Sequence, residues 1–318
     1  MPMLETRRRL REIGVLGINR RNLDYIRRWN PRHLYPLVDD KLRTKKLALE
    51  AGMPVPELFG AIETQHDVRN LASIVGDRQQ FVVKPASGSG GNGVLVITGR
   101  RGDLYAKASG SLLDHGELEH HLSNALSGLY SLGGQRDRVV VEYCVRTEPS
   151  LSRISFQGVP DIRLIVFLGY PVMAMIRLPT RASDGRANLH QGAVGVGIDL
   201  ALGTTLGGVQ NDRRVGQHPD TGHDLEGLTI PSWSRILEMS ARAYEMTGLG
   251  YLGVDIVIDE DLGPLILELN ARPGLAIQIA NADGLRHRLD RVRELAASQR
   301  PVSERLEVCR QQLASPSR

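Results

Sequence analysis

The residues with the most chemistry to offer lie in GVDIVIDEDLGPLILELNARPG, residues 253–274. Strand side chains alternate between faces, so Glu268 and Asn270 share one face with Cα atoms about 6.8 Å apart, and Leu265, Leu267 and Leu269 are expected to line the other. On the run before them, Asp255 sits between Val254 and Ile256, which point away from it. Pairing the two runs brings Asp255, Glu268 and Asn270 together. That is an all-oxygen set suited to Mg²⁺ or Mn²⁺ held partly by nucleotide phosphates, and no His or Cys is placed to make it a zinc site. The plain alternative is a solvated pair of strand ends. The continuation Asn270-Ala-Arg272-Pro-Gly274 weighs against it by adding a backbone turn and another cation.

A second stretch, FVVKPASGSGGNGVLVIT at residues 81–98, matches G-x-G-x-x-G at Gly88 to Gly93. A dinucleotide fingerprint leaves a strand and opens a helix. Here the glycines run instead into the β-branched Val94-Leu-Val-Ile, and no acidic residue ends a second parallel strand. A Walker loop is excluded because Lys84 precedes the glycines. What remains is a Gly/Ser hairpin tip whose backbone N–H groups can close over phosphate oxygens, with Lys84 as a point charge beneath. On the loop alone, a mobile hairpin without a ligand is an equal alternative.

The rest of the chain must position these groups. Its 318 residues are 41% hydrophobic and 24% charged, which suits two or three globular subdomains. Forty basic against 36 acidic residues leave +4, and with 4% aromatics this gives no nucleic-acid platform. Arg7, Arg8, Arg9 and Arg11 read as a solvated helix face. Cys144 and Cys309, without a CxxC, point to a reducing compartment and to neither zinc nor a disulfide framework. No apolar signal core is visible. The most apolar run, residues 164–176, is too short to span a bilayer and is broken by Gly-Tyr-Pro, so a cytoplasmic protein without membrane insertion is expected.

Asp39 and Asp40 are N-cap candidates for the helix KLRTKKLALE, where Leu42, Lys45, Lys46 and Leu49 recur at helical spacing and Gly52 supplies the stop. A strand at 58–62, a helix at 66–75, the strands FVVK and VLVIT, a polar helix over about 114–132 and the strand RVVVEYCV follow. Further on, DIRLIVFLG and PVMAMIRL form a hairpin, residues 181–197 a hydrophilic glycine-rich loop and 232–247 an amphipathic helix, before the strands GVDIVID and GPLILELN. The pattern is α+β with antiparallel hairpins. It divides into a short segment (1–38), two α+β units (39–147 and 148–282) and a charged helix with a tail (283–318).

Taken in order over residues 40–274, these pieces resemble the ATP-grasp superfamily, and within it the RimK-like α-L-glutamate ligases. DDKLRTKKLALEAGMPVPE is similar to the family's lysine-bearing helix, which makes Lys41 the first phosphate lysine. FVVKPASGSGGNGV is similar to the second lysine strand and its phosphate-covering loop, with Lys84, Ser87, Gly88, Ser89, Gly90 and Gly91. VVVEYCV resembles the hinge strand that hydrogen-bonds adenine, with Glu142, Tyr143, Cys144 and Val145. DIRLIVFLGYPVMAMIR and RANLHQGA resemble the RimK-type core, and GVDI and LELNARPG the metal strands. Only five of the 40 basic residues are lysines, and Lys41 and Lys84 fall at the family's positions. The chain departs from the pattern in its N-terminal part, where about 40 residues stand in for a larger domain that often helps bind the acyl substrate. The spacing from Glu142 to Asp161 is expanded, which leaves the ribose contact unassigned. Gln191 and Ala193 replace a usual basic residue and glycine.

The resemblance implies an ATP-grasp fold with a truncated N-terminal domain, clamping ATP between two α+β units with Mg²⁺ (or Mn²⁺) on its phosphates. It implies carboxylate–amine ligation: a carboxylate attacks the γ-phosphate to give an acyl phosphate and ADP, and an amine then displaces phosphate. Asp255, Glu268 and Asn270 would hold the metal. Arg163, Arg177, Arg186 and Arg272 are the catalytic candidates that orient phosphate or a substrate carboxylate. Asn188 and His190 would line the acceptor pocket. The expected partners are a small-molecule or peptide carboxylate and an amino acid such as glutamate, with no nucleic acid, and homo-oligomer formation is left open. A phosphotransferase on the same fold and a nucleotide-binding module without turnover are the alternatives. An NAD oxidoreductase would need nicotinamide binding, which is not expected.

Overall fold

Two separate apolar clusters organise the chain, each under its own antiparallel sheet. The structure is a computed structural model and describes residues 2–88, 90–131, 133–296 and 300–313. The first sheet contains β1 (Leu58–Ile62), β2 (Phe81–Pro85), β3 (Leu95–Arg101), β4 (Leu104–Lys107), β5 (Leu112–Leu113) and β6 (Val139–Glu142), in the spatial order β1-β6-β2-β3-β4-β5. Alternate residues Phe81 and Val83 of β2, and Val139 and Val141 of β6, enter its core. The helix His115–Leu126 backs it with Leu118, Leu122 and Ala125, one turn apart, and Asp114 and Glu117 close its start as a capping box.

The second sheet contains β7 (Asp161–Phe167), β8 (Tyr170–Leu178), β9 (Val194–Ile198), β10 (Thr204–Gln210), β11 (Arg213–Val215), β12 (Glu226–Thr229), β13 (Tyr251–Asp259) and β14 (Gly263–Asn270). Its order is β11-β10-β9-β8-β7-β13-β14, with β12 also on β10. Ile236, Leu237 and Ala243 of the helix Trp233–Thr247 join this larger core. So do Leu16, Tyr25 and Ile26 of the N-terminal segment. Asn30 ties that segment in, donating to Tyr251 O at 2.6 Å and Ala271 O at 2.8 Å. The α+β expectation holds.

Several boundaries differ from the sequence reading. The helix expected at 66–75 divides into a 3₁₀ stretch, Gln65–Asn70, and a short helix, Leu71–Val75. The polar helix ends at Leu126, before Gly128, whose φ of +90° a helix does not accept. RVVVEYCV is a strand only over Val139–Glu142. The loop expected over 181–197 ends where β9 begins, at Val194. A side chain at Gly197 would meet Ala280 O at 2.8 Å, so glycine there admits the short helix Ile277–Asn281 against the sheet.

Candidate active site

Asp40 starts the lysine helix Lys41–Glu50, its carboxylate accepting from Leu42 N at 3.0 Å and Arg43 N at 3.4 Å. The helix then turns Lys41 and Lys45 toward the first sheet. Lys45 is 6% exposed, Lys84 on β2 5%, and Glu142 on β6 2%. Glu142 holds Lys84 through Oε1 and Lys45 through Oε2 at 3.0 Å. Lys45 also donates to Pro56 O. Burial pushes the Glu142 carboxyl up, but Lys84 and Lys45 outweigh it and hold it below the usual carboxylate range. Two buried ammonium groups facing one carboxylate leave one positive charge over, and a low-dielectric site favours an anion to balance it.

Lys41 adds to that field. Its Nζ donates to Gly88 O at 2.6 Å. Burial draws it below the usual lysine value, and the Glu268 carboxylate acts against that, so Lys41 senses both sheets. The glycine loop it touches is pinned at both ends. Asp137 accepts from Ser87 N at 2.9 Å and from Ser131 Oγ at 2.5 Å, and Gly88 bridges Ser131. At the far end, a side chain on Gly93 would meet the Tyr130 ring at 2.4 Å, and Gly93 O is 3.0 Å from His121 Nε2. Between these ends the tip reaches the second unit. A Cβ on Gly90 would lie 3.7 Å from Asn188 Nδ2, and one on Gly91 4.0 Å from Arg186 Cδ. Ser89 lies outside the described residues.

Tyr143, Cys144 and Val145, expected as the hinge, are half-buried and carry no regular structure. Tyr143 N donates to Glu57 O at 2.8 Å. Its OH and the Arg146 N–H both donate to Asp259 Oδ2, at 3.0 and 2.8 Å. Burial pushes the Cys144 thiol up to about 11, which keeps it protonated at neutral pH.

On the second sheet, Asp255 faces Arg163 on β7 and Glu268 on β14 in register. Leu267 forms a bulge, because Asp255 pairs with Glu268 and Ile256 with Ile266. The strict alternation expected for this strand therefore fails. Leu269 is buried on the core side opposite Val254, Leu267 is half-exposed, and Leu265 pairs with Val257, two residues from Asp255 on its face. A one-residue bulge re-aims side chains in this way.

Asp255 is committed to arginine. Arg163 grips it in a fork, Nε to Oδ1 at 2.7 Å and NH2 to Oδ2 at 2.5 Å, and Arg177 adds a contact at 3.1 Å while also gripping Asp161. Burial works to raise Asp255, and Arg163 and Arg177 overcome it to hold the group below the usual range. Asn270 Nδ2 donates to Asp255 Oδ2 at 3.3 Å, which leaves its own Oδ1 open. Glu268 has no ion pair or hydrogen bond to its carboxylate among the described residues. Of the three expected metal donors, Glu268 and Asn270 therefore present free oxygens that fit a hard divalent cation. Asp255 in this arrangement serves the arginines. The described residues contain no group of three His, Cys, Asp or Glu side chains that could hold a metal without further ligands.

Arg186 is exposed on the 181–192 loop, 3.8 Å from Asp184. Arg272 pairs with Asp39 at 3.0 Å and lies over the Tyr35 ring. Asn188 Oδ1 caps His190 N at 3.0 Å, and the His190 side chain is exposed. Sequence reasoning left Lys45, Asp137, Asp161 and Asp259 out of the site. Lys45 carried a signal, one turn beyond Lys41 on the same helix. The three aspartates became visible only through their partners in space.

The family described as sugar-transfer associated ATP-grasp matches residues 20–294. A probable α-L-glutamate ligase of Xanthomonas oryzae pv. oryzae (strain MAFF 311018) is 27% identical over 247 residues, 77% of this chain and 61% of the relative. A ribosomal protein bS6–L-glutamate ligase of Salmonella paratyphi B is 28% identical over 236 residues, 74% of this chain and 56% of the relative. The chain thus spans about six-tenths of the length of these curated relatives. A solved D-alanine–D-alanine ligase from Bacillus anthracis superposes at TM-score 0.47 with 16% identity, covering 86% of this chain and 70% of that one. The glutamate ligases match the resemblance read from the motifs, and the matched family spans both sheets. The chain belongs to the sugar-transfer associated ATP-grasp family.

Proposed function

We propose that this chain is an ATP- and Mg²⁺-dependent ligase that joins a carboxylate to an amine through an acyl phosphate. The observation that carries this reading is the position of Lys41. It lies within the field of the surplus-positive Lys45–Lys84–Glu142 cluster on one side and of Glu268 on the other, under a glycine loop that reaches Asn188. A polyphosphate bound there meets ammonium groups from the first unit and oxygen donors from the second.

In this reading Lys41 and Lys84 neutralise the phosphates, and the N–H groups of Gly90 and Gly91 at the loop tip cover them. Residues 142–145 present backbone groups to the adenine. Glu268 and Asn270 hold the divalent cation, which supplies charge neutralisation at the transferring phosphoryl group. The lid excludes water, so that an amine rather than water meets the activated carboxylate. Arg186 and His190, exposed beside the lid, orient the incoming substrate, and Arg272 stands at the rim. Asp255 and Asp161 fix Arg163 and Arg177 as a half-buried floor. Glutamate as the amine donor is supported by the names of the curated relatives.

The test is a mass-spectrometric screen of the protein with ATP, Mg²⁺, a panel of amino acids, and carboxylates that include sugar acids, as the family's description suggests. An amide product with ADP and phosphate is expected. A stable phosphorylated product without an amide would make the protein a phosphotransferase. ATP binding without ADP release across the panel would leave a nucleotide-binding module.

A further inference from the structure

We infer that Lys45 is a positioning residue: it is the standing counter-ion of Glu142, and its presence frees Lys84 to leave that carboxylate for a nucleotide phosphate. The inference rests on the reading of Lys84 as a phosphate ligand and assigns a role to a buried cation which that reading does not use.

The two lysines differ in how they are held. Lys45 Nζ has two partners, Glu142 Oε2 at 3.0 Å and Pro56 O. Its helix is fixed at the start by the Asp40 cap and at the end by Gly52, whose N–H donates to Leu49 O at 3.0 Å. Lys84 Nζ has one partner among the described residues, Glu142 Oε1. It stands at the end of β2, one residue from Pro85, where the glycine loop begins. Glu142 is 2% exposed and cannot turn to water. If Lys84 were its only partner, moving Lys84 to a phosphate would leave a bare carboxylate in the core, and that penalty would weaken nucleotide binding. With Lys45 in place, Glu142 keeps a partner throughout. The pair Lys45–Glu142 is then neutral, and Lys84 is the surplus charge.

Calorimetric titration of the full chain with MgATP tests this. Lys45→Met is expected to weaken ATP binding by about tenfold or more, because Lys84 becomes the sole partner of Glu142. Adding Glu142→Gln to Lys45→Met is expected to recover affinity to within about threefold of the unsubstituted chain, since a neutral amide no longer retains Lys84. A merely structural Lys45 predicts no such rescue. If Lys45→Met fails to fold, as judged by its circular dichroism melt, the double variant Lys45→Met/Glu142→Gln decides: ATP affinity within about threefold of the unsubstituted chain supports the role, and a loss of about tenfold or more overturns it. Unchanged affinity in a folded Lys45→Met, with Lys84→Met weakened, also overturns it while leaving the ATP site intact. If the unsubstituted chain binds no ATP, or Lys84→Met binds as well as it does, the underlying reading of the site fails instead.

Discussion

Each half of the molecule buries a charge cluster, and the two clusters are balanced differently. In the second sheet Asp161 and Asp255 meet Arg163 and Arg177, two of each sign, bound through forked contacts. In the first, Lys45 and Lys84 share one carboxylate. A neutral, fully forked set has no need of a further ion. An odd set does. The difference separates two half-buried arginines that are matched by acids from a pair of buried lysines that carries one cation over.

The sharpest way to break this contrast is to remove the acid from the balanced set. Asp255→Ala leaves two largely enclosed guanidiniums, 16% and 11% exposed, short of a partner, and a loss of about 3–5 kcal/mol in urea unfolding is expected. A loss below about 1 kcal/mol would mean that the quartet is not what holds β7, β8 and β13 in place. Glu268→Ala sits next to it on the neighbouring strand and should behave in the opposite way. Its carboxylate has no partner to strand among the described residues, so stability should hold within about 1 kcal/mol while ATP-dependent ADP release falls on the order of a hundredfold. Equal ADP release in Glu268→Ala would remove it from the metal set.

The odd cluster also makes a prediction in pH. Lys84 and Lys45 depress Glu142 in the folded chain, so its stabilisation is complete above the carboxyl's unfolded value and is lost as pH falls through the lower folded value. Replacing Glu142 with Gln should flatten the acid side of the stability–pH curve, as read from melting temperatures below pH 5. An unchanged slope would show that other carboxyls dominate there. The smallest effect belongs to Arg272→Ala. Its pair with Asp39 is 47% and 40% exposed, so a change of at most about 1 kcal/mol is expected in the same unfolding assay. A large drop in ligation with intact stability would place that guanidinium on a substrate.

The ordered motifs carried the fold well because strands with buried alternation announce themselves: Phe81, Val83, Val139 and Val141 recur with period two, and the hairpin of β7 and β8 is almost wholly apolar. β10 was not legible, since Thr204-Thr-Leu-Gly-Gly-Val-Gln mixes glycine with polar residues and owes its strand form to neighbours on both sides. The bulge at Leu267 was hidden for a related reason. A register shift belongs to a pair of strands, and either strand alone reads as regular. Lys45 shows the limit most clearly. Helical spacing marked it, but its burial depends on Glu142, 97 positions later, and a single helix does not reveal what packs against it.

Asp259 joins two parts of the site. One of its oxygens takes Tyr143 OH and Arg146 N, and the other takes the N–H groups of Asp261 and Leu262, at 3.0 Å each, in the turn that leads into β14. The connector between the two units and the hairpin bearing Glu268 are therefore measured from the same carboxylate. An added or deleted residue in either segment would displace the other, so insertions should be tolerated poorly at residues 143–146 and 260–262.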